Sequence, residues 1–207
     1  AKNLAKYTAM ALTSAACVPV SHILVRNHLG ETLGWDAAGY WEAMGRLSAA
    51  YLMLVTTTLS VYFLPKLSEL DNFIEIRKEI LRGYKIIMPV AAACGFVIYI
   101  LRGLIVRVLF TEKFSEMEAL FAWQMVGDAL RIGSWILAFL MLGKAMVKAY
   151  IVSEIVFSAL FYILVVMLVR ELHLQGVVVA YAINYFLYWI ALALIVSRFF
   201  MVGRRAS

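Results

Sequence analysis

Long apolar runs separated by short polar stretches make up most of the chain, and six of these runs are long enough to cross a bilayer as helices. A helix needs about 20 mainly apolar residues to cross about 30 Å of hydrocarbon. The predicted spans are residues 4–25, 38–64, 84–101, 119–142, 150–169 and 176–200. These runs are apolar on nearly every side, whereas strands of a membrane β-barrel alternate in polarity. The pattern therefore predicts an all-α, polytopic membrane protein with a single six-helix transmembrane lobe over residues 1–207.

Basic residues fall mainly between the apolar runs, and their distribution predicts an orientation. Twelve of the 19 Lys and Arg residues lie at the amino end, in 65–85, in 143–149 and in the tail, whereas five lie in 26–37, 102–118 and 170–175. Cytoplasmic loops carry the excess of positive charge in membrane proteins. Both termini are therefore expected in the cytoplasm. The segment from Pro65 to Lys85 mixes both signs of charge and is expected to form a short amphipathic surface helix.

Composition excludes several classes of protein. Hydrophobic residues make up 64% of the chain and charged residues 15%, against about 45–50% and about 25% in soluble domains. The net charge of +6 is not gathered on one polar face, as it would be for a nucleic-acid partner. The sequence contains no Walker-type phosphate loop, no G-x-S-x-G and no H-E-x-x-H, and its histidines lack metal-ligand spacing. We therefore expect no enzyme, no cofactor and no metal site.

The second predicted span contains two charged residues, which are costly in a membrane. A charge at mid-bilayer costs at least about 2.5–3.5 kcal/mol, so each one suggests a functional site. Glu42 and Arg46 are spaced i,i+4 and can pair on one face of the helix. That face continues through small or partly polar residues, namely Ala49, Ala50, Met53, Thr57 and Ser60. Such a stripe either lines a cavity or packs against a neighbouring helix, and the sequence leaves both interpretations open.

The fourth predicted span has a similar polar face, formed by Gln124, Asp128 and Arg131, with Trp135 one turn further along. Asp128 and Arg131 are spaced i,i+3 and can neutralise each other, so a structural ion pair is one interpretation. Polar faces in two separate spans favour an aqueous cavity instead. In such a cavity, Arg46 and Arg131 would offer planar donors to phosphate or carboxylate groups.

The fifth and sixth predicted spans add polar and aromatic groups. Glu154 belongs to a stripe spaced by four residues, and Asn184 lies among three tyrosines, Tyr181, Tyr185 and Tyr188. Tyrosines near span ends are expected at the membrane interface. Asn184 is deeper and is expected to hydrogen-bond across helices. The candidate cavity residues are therefore Glu42, Arg46, Gln124, Asp128, Arg131, Glu154 and Asn184.

Four stretches resemble one family of transporters. Residues 39–42 and 60–68 resemble the second helix of the carboxy-terminal lobe of Wzx-type translocases for O-antigen and enterobacterial common antigen units, and residues 121–131 resemble the fourth. Residues 4–19 and 149–154 extend the resemblance over nearly the whole chain. The Phe-Ala-Trp-Gln to Gly-Asp block within 121–131 is its most specific part. The family belongs to the multidrug/oligosaccharidyl-lipid/polysaccharide exporter superfamily, which typically has twelve helices in two lobes around a central cavity.

The resemblance implies a function. A polyprenyl-diphosphate-linked oligosaccharide would be flipped from the cytoplasmic to the periplasmic leaflet of the bacterial inner membrane by alternating access. Arg46 and Arg131 match the family's cationic cavity residues, although Arg46 departs from the small polar residues of relatives at that position. The implied partners are the lipid bilayer, an amino-terminal lobe, a polysaccharide polymerase and a chain-length regulator. Because six spans supply only one lobe, and because the chain opens with Ala, we expect it to be a fragment.

Two other functions are compatible with the sequence. Within the same superfamily, the cargo could instead be a peptidoglycan precursor or, with cation coupling, a drug. A function of a different class is that of a non-transporting membrane scaffold in a polysaccharide assembly complex.

Overall fold

The chain folds into a bundle of helices in a computed structural model, which describes the backbone of residues 2–206 and the side chains of residues 7–111 and 113–201. Six helical segments in this part of the chain are long and apolar enough to cross a membrane, which confirms the predicted all-α class. The α-helices are α1 (Lys2–Leu33), α2 (Trp35–Thr58), α3 (Leu64–Glu69), α4 (Phe73–Ile100), α5 (Arg102–Leu109), α6 (Phe121–Gly143), α7 (Val147–Leu172) and α8 (Gln175–Ala206). A π-helical turn, Leu59–Phe63, joins α2 to α3, and a 3-10 helix, Glu112–Leu120, precedes α6.

The first two membrane helices are longer than predicted and are separated by one residue. Gly34 has φ +96°, a backbone conformation that favours glycine because a Cβ atom would be strained there. The helix α1 continues through most of the predicted loop 26–37. It does so because Leu29, beyond the predicted end of the span, is fully buried in the bundle. Burial of an apolar side chain thus extends the helix past the purely apolar run.

The predicted surface helix between Pro65 and Lys85 is wrong. The first part of this segment belongs to α3, which continues the second membrane helix, and the rest forms the start of α4. Only residues 70–72 are non-helical, and Asn72 Oδ1 caps α4 by accepting a hydrogen bond from the Ile74 amide at 2.9 Å. Ile76 and Ile80 are buried. The first turns of α4 therefore pack on the bundle and do not lie separately on a membrane surface.

The central helix of the bundle is α6. It packs most extensively against α8 and α4, and it also contacts α2 and α7. One apolar cluster includes Phe121 at the start of α6, and a second includes Leu140 near its end. Asp128 lies between these two clusters along α6 and is also buried. The polar residues of α6 are therefore held in the middle of the bundle, with apolar packing above and below.

The connections predicted to lie on the same side of the membrane meet at the same end of the bundle. Lys144 Nζ lies 3.8 Å from Asp71 Oδ1, which joins the 143–149 connection to the start of α4. At the other end, the rings of Tyr40 and Phe114 are 5.3 Å apart. The side chains of Lys2, Lys6 and residues 202–207, which contribute to the charge count, lie outside the described residues. The orientation itself stays a prediction.

Candidate functional site

A carboxylate at the centre of the bundle joins three helices. Asp128 on α6 has 1% exposure. Its Oδ2 accepts hydrogen bonds from two α2 hydroxyls, that of Ser48 at 2.7 Å and that of Tyr51. Its Oδ1 accepts from the Tyr181 hydroxyl of α8 at 2.7 Å and from Gln124 Nε2 at 3.3 Å. Four donors thus satisfy the carboxylate and tie α2 and α8 to α6.

The direct ion pair between Asp128 and Arg131, one of the two interpretations of their spacing, is not formed. Among the described residues, no carboxylate oxygen lies within 4.0 Å of the Arg131 guanidinium. Arg131 Nη1 instead donates to the Tyr181 hydroxyl at 3.2 Å, and that hydroxyl donates to Asp128. The guanidinium also lies over the rings of Trp135, at 4.6 Å, and Tyr185, at 5.4 Å. The aspartate already has four donors, so the arginine is held by aromatic rings and one bridging hydroxyl.

Two residues that line a small cavity each have a buried polar atom without a partner. Arg131 Nε is a donor and Asn184 Oδ1 is an acceptor, and neither has a hydrogen-bond partner in the described part of the chain. Both residues line a cavity of about 70 Å³, together with Glu154. The predicted interhelical hydrogen bond of Asn184 is therefore not formed. A buried polar atom without a partner costs about 1–3 kcal/mol, so the structure leaves one donor and one acceptor unsatisfied beside this cavity.

A second, larger cavity adjoins the first. It has a volume of about 260 Å³, and its lining includes Glu42, Arg46, Gln124 and Arg131. Arg131 also lines the smaller cavity, as do His22, Phe161 and Tyr181. Six of the seven candidate residues therefore line one continuous polar region, and the seventh, Asp128, lies directly behind Tyr181. The two polar faces thus contribute to neighbouring cavities, and the role of these residues in binding cargo stays a prediction.

The pair Glu42 and Arg46 lies at the outer edge of this region. Arg46 Nη2 is 3.3 Å from Glu42 Oε1, which confirms the predicted i,i+4 pair. Arg26 Nε lies 3.6 Å from the other oxygen of Glu42. The Arg46 side chain is 80% exposed, whereas Arg131 is half-buried. The stripe that continues this face, Ala49, Ala50, Met53, Thr57 and Ser60, is exposed, so no helix of the described chain covers it.

Glu154 links a different set of helices. Its Oε2 accepts from Ser14 Oγ of α1 at 3.1 Å, and its Oε1 accepts from the Tyr188 hydroxyl of α8 at 2.9 Å. The Ser14 and Tyr150 hydroxyls are 2.8 Å apart. In the described part of the chain, no group of three His, Cys, Asp or Glu residues could hold a metal ion. Glu154 therefore closes the smaller cavity as a hydrogen-bond acceptor between α1, α7 and α8.

Sequence reasoning misplaced the tyrosines and missed three residues of the site. Tyr181 and Tyr188 are 8% and 4% exposed and face the interior of the bundle, so the predicted place of Tyr181, near a span end, at the membrane interface is wrong. They are buried because their hydroxyls donate to Asp128 and Glu154. The residues missed are Ser48, Tyr51 and His22. Ser48 and Tyr51 are spaced i,i+3 on α2, which is a weak signal, because only the fold brings α2 against Asp128.

Comparisons with known proteins show that the chain is similar in sequence to two curated proteins. Over 189 residues, or 91% of this chain, it is 34% identical to the lipid III flippase of Escherichia coli (strain K12). It is also 34% identical, over the same length, to the lipid III flippase of Shigella flexneri. The chain spans 45% of the length of each relative. No family model and no solved structure matches the chain. Together with the six apolar helices, this similarity identifies a multi-pass membrane protein.

Proposed function

We propose that this chain is the carboxy-terminal lobe of a flippase that moves a polyprenyl-diphosphate-linked oligosaccharide, such as lipid III or an O-antigen unit, across the bacterial inner membrane. The observation that carries this proposal is the place of Arg131. This half-buried side chain has a buried, unpaired Nε and lines both cavities. The similarity to curated lipid III flippases supports the same function. The protein is thus proposed to be a transporter and not an enzyme.

The Arg131 guanidinium, which lacks an ion-pair partner among the described residues, favours an anionic group beside it. Asp128 has four hydrogen-bond donors and lies on the far side of the Tyr181 hydroxyl, so it does not pair with Arg131 directly. A guanidinium that lacks an ion-pair partner in a membrane costs at least about 2.5–3.5 kcal/mol. A diphosphate entering the cavity would offset that cost, because a guanidinium binds phosphate oxygens through two parallel hydrogen bonds.

The neighbouring residues have separate roles in the proposal. Asn184 Oδ1 is an unpaired acceptor that suits a sugar hydroxyl, and Glu154 lines the same cavity. Gln124 lines the larger cavity, and Asp128 positions Tyr181 beside Arg131. Glu42 and Arg46 lie at the exposed edge, where Arg46 would meet an anionic headgroup first.

A second lobe is part of the proposal. A polar headgroup needs a path with two walls, and alternating access moves one half of a transporter against the other. The exposed stripe on α2 that begins beside Arg46 is the surface that would face the other wall. We propose that both termini are cytoplasmic and that an amino-terminal lobe supplies this wall. A polysaccharide polymerase and a chain-length regulator are the further proposed partners.

The test is a flipping assay in liposomes. The 207-residue chain is reconstituted with or without a co-expressed amino-terminal lobe, and accessibility of a labelled polyprenyl-diphosphate oligosaccharide at the outer leaflet is followed with time. Flipping is expected only when both lobes are present. If the chain flips the lipid as a verified monomer, the proposal that two lobes form the path is wrong. If the two lobes together move a cationic drug but not the lipid-linked sugar, the proposed cargo is wrong.

A further inference from the structure

A trough runs along the outside of the bundle between α4 and α8, away from the polar cavities. Two adjoining hollows form it, with volumes of about 1020 and 410 Å³, and both are lined by Arg77, Ser197 and Phe200. Leu137 of α6 forms part of the floor of the smaller hollow. Leu137 lies nine residues after Asp128, which at 3.6 residues per turn places it about half a turn away on α6. The trough and the Asp128 site thus use opposite faces of α6.

One end of the trough is polar and carries an unpaired cation. Arg77 lies one turn after the first residue of α4 and lines both hollows. Within the described residues, its guanidinium has no carboxylate within 4.0 Å. The carboxylate that lines the same end, Asp71, lies 3.8 Å from Lys144 Nζ instead. The net charge offered to an occupant at this end is therefore positive.

The other end of the trough is apolar. Its polar groups are already bonded to one another: Trp189 Nε1 donates to the Tyr84 hydroxyl at 2.8 Å, and that hydroxyl donates to the Gly133 carbonyl at 2.7 Å. The remaining lining at this end is aliphatic, from Leu137, Ala193 and Val196. From Trp189 to Ser197 the trough follows α8 for about 12 Å at 1.5 Å per residue. Only hydrocarbon suits this part of the trough.

We infer that the trough between α4 and α8 is a binding site for an anionic glycerophospholipid, with its phosphate on Arg77 and an acyl chain lying along α8 towards Trp189. Basic pockets between membrane helices, near the membrane surface, bind anionic lipid headgroups. A guanidinium makes strong, charge-assisted hydrogen bonds to phosphate. The site is separate from the proposed cargo cavity, because Arg131 and its cavities lie on the other face of α6.

The test measures lipid binding by the purified 207-residue chain with native mass spectrometry, using phosphatidylglycerol and phosphatidylcholine of the same chain length. Arg77→Gln should weaken phosphatidylglycerol binding about tenfold, the loss expected for one charge-assisted hydrogen bond. Arg82→Gln is the matched control, because Arg82 is an exposed cation on the same helix that does not line the trough. An equal loss in both variants would show only diffuse attraction and would overturn the site.

The acyl-chain part of the inference has its own variants. Ala193→Trp fills the trough and should weaken phosphatidylglycerol binding, whereas Leu194→Trp, at the next and exposed position, should not. Glycerol phosphate, which has the headgroup charge without chains, should not compete. The assignment to a glycerophospholipid would be overturned if glycerol phosphate competed at equal concentration. It would also be overturned if a polyprenyl phosphate bound more tightly than phosphatidylglycerol.

Discussion

Asp128 and Arg131 lie one turn apart on α6 and are joined through a single hydroxyl, that of Tyr181, without an ion pair between them. The hydroxyl donates to Asp128 Oδ1 at 2.7 Å and accepts from Arg131 Nη1 at 3.2 Å. The arrangement keeps the two charges associated while leaving Arg131 Nε free to bind another group. It also makes the position of the guanidinium depend on a residue of a different helix, α8.

The first prediction concerns this bridging hydroxyl. Tyr181→Phe removes one of four donors from Asp128 and the acceptor that holds Arg131 Nη1. We expect the free energy of unfolding to fall by about 1 kcal/mol, the upper range for such bonds in membrane proteins, and lipid export to fall as well. Thermal unfolding in detergent and a cellular export assay measure the two effects. Tyr62→Phe is the control, because Tyr62 is 56% exposed. If the two variants have the same stability and the same export, the Tyr181 hydroxyl has no role in the site.

A second prediction concerns the carboxylate itself. Asp128→Asn replaces one acceptor oxygen by an amide nitrogen, which then faces either the two α2 hydroxyls or the Tyr181 hydroxyl and the Gln124 amide. We expect the free energy of unfolding to fall by about 2 kcal/mol, because a buried network with one unsatisfied member loses more than one bond. Glu116→Gln, at an exposed position, makes the same chemical change and should be neutral. If the free energy of unfolding is unchanged in Asp128→Asn, the hydrogen-bond network of Asp128 does not join the three helices.

A third prediction tests the close approach of α6 and α8. A Cβ atom added at Gly127 would lie 2.3 Å from Tyr181 Cδ1, whereas one added at Gly39 would meet nothing within 4 Å. Gly127→Ala should therefore lower the thermal midpoint and displace the Tyr181 ring. Gly39→Ala should raise the midpoint, because alanine is favoured over glycine in a helix by about 1 kcal/mol. A stabilised Gly127→Ala variant would contradict the packing described between these helices.

A fourth prediction concerns orientation. From the distribution of Lys and Arg, residues near Glu31 should be periplasmic and those near Lys148 cytoplasmic. Single cysteines at these two exposed positions, with Cys17 and Cys94 replaced, should differ in labelling by an impermeant thiol reagent in intact cells. Labelling should occur at position 31 and should require permeabilisation at position 148. The reverse pattern would invert the proposed topology.

The sequence predicted the all-α class and the six membrane-spanning helices because each depends on an apolar run that a single helix carries by itself. It predicted the Glu42 and Arg46 pair for the same reason, since both residues lie on one helix. The Asp128 site was only half predicted. Its α6 residues share a visible face, but Tyr181 is contributed by α8, and no pattern within one helix shows which hydroxyl of another will meet a carboxylate. The helices within residues 65–85 were not predicted, because the start of α4 depends on the packing of Ile76 and Ile80 in the bundle.

The claim on which the account depends is that Arg131 contacts the anionic part of the cargo. Arg131→Ala should reduce flipping of labelled polyprenyl-diphosphate oligosaccharide by the two-lobe transporter more than tenfold, since a buried charge-assisted contact contributes about 1.5–3 kcal/mol. Arg131→Lys should retain part of the activity, because lysine keeps the charge and loses the planar pair of donors. Arg102→Ala, at a half-buried position whose guanidinium bonds the Tyr99 carbonyl outside the cavities, controls for the loss of an arginine.

The decisive measurement is therefore the initial rate of flipping in liposomes for these variants at equal protein content. If Arg131 contacts the cargo, flipping is lost in Arg131→Ala, partly retained in Arg131→Lys and unchanged in Arg102→Ala. An Arg131→Ala transporter that flips the lipid at the original rate would contradict this contact.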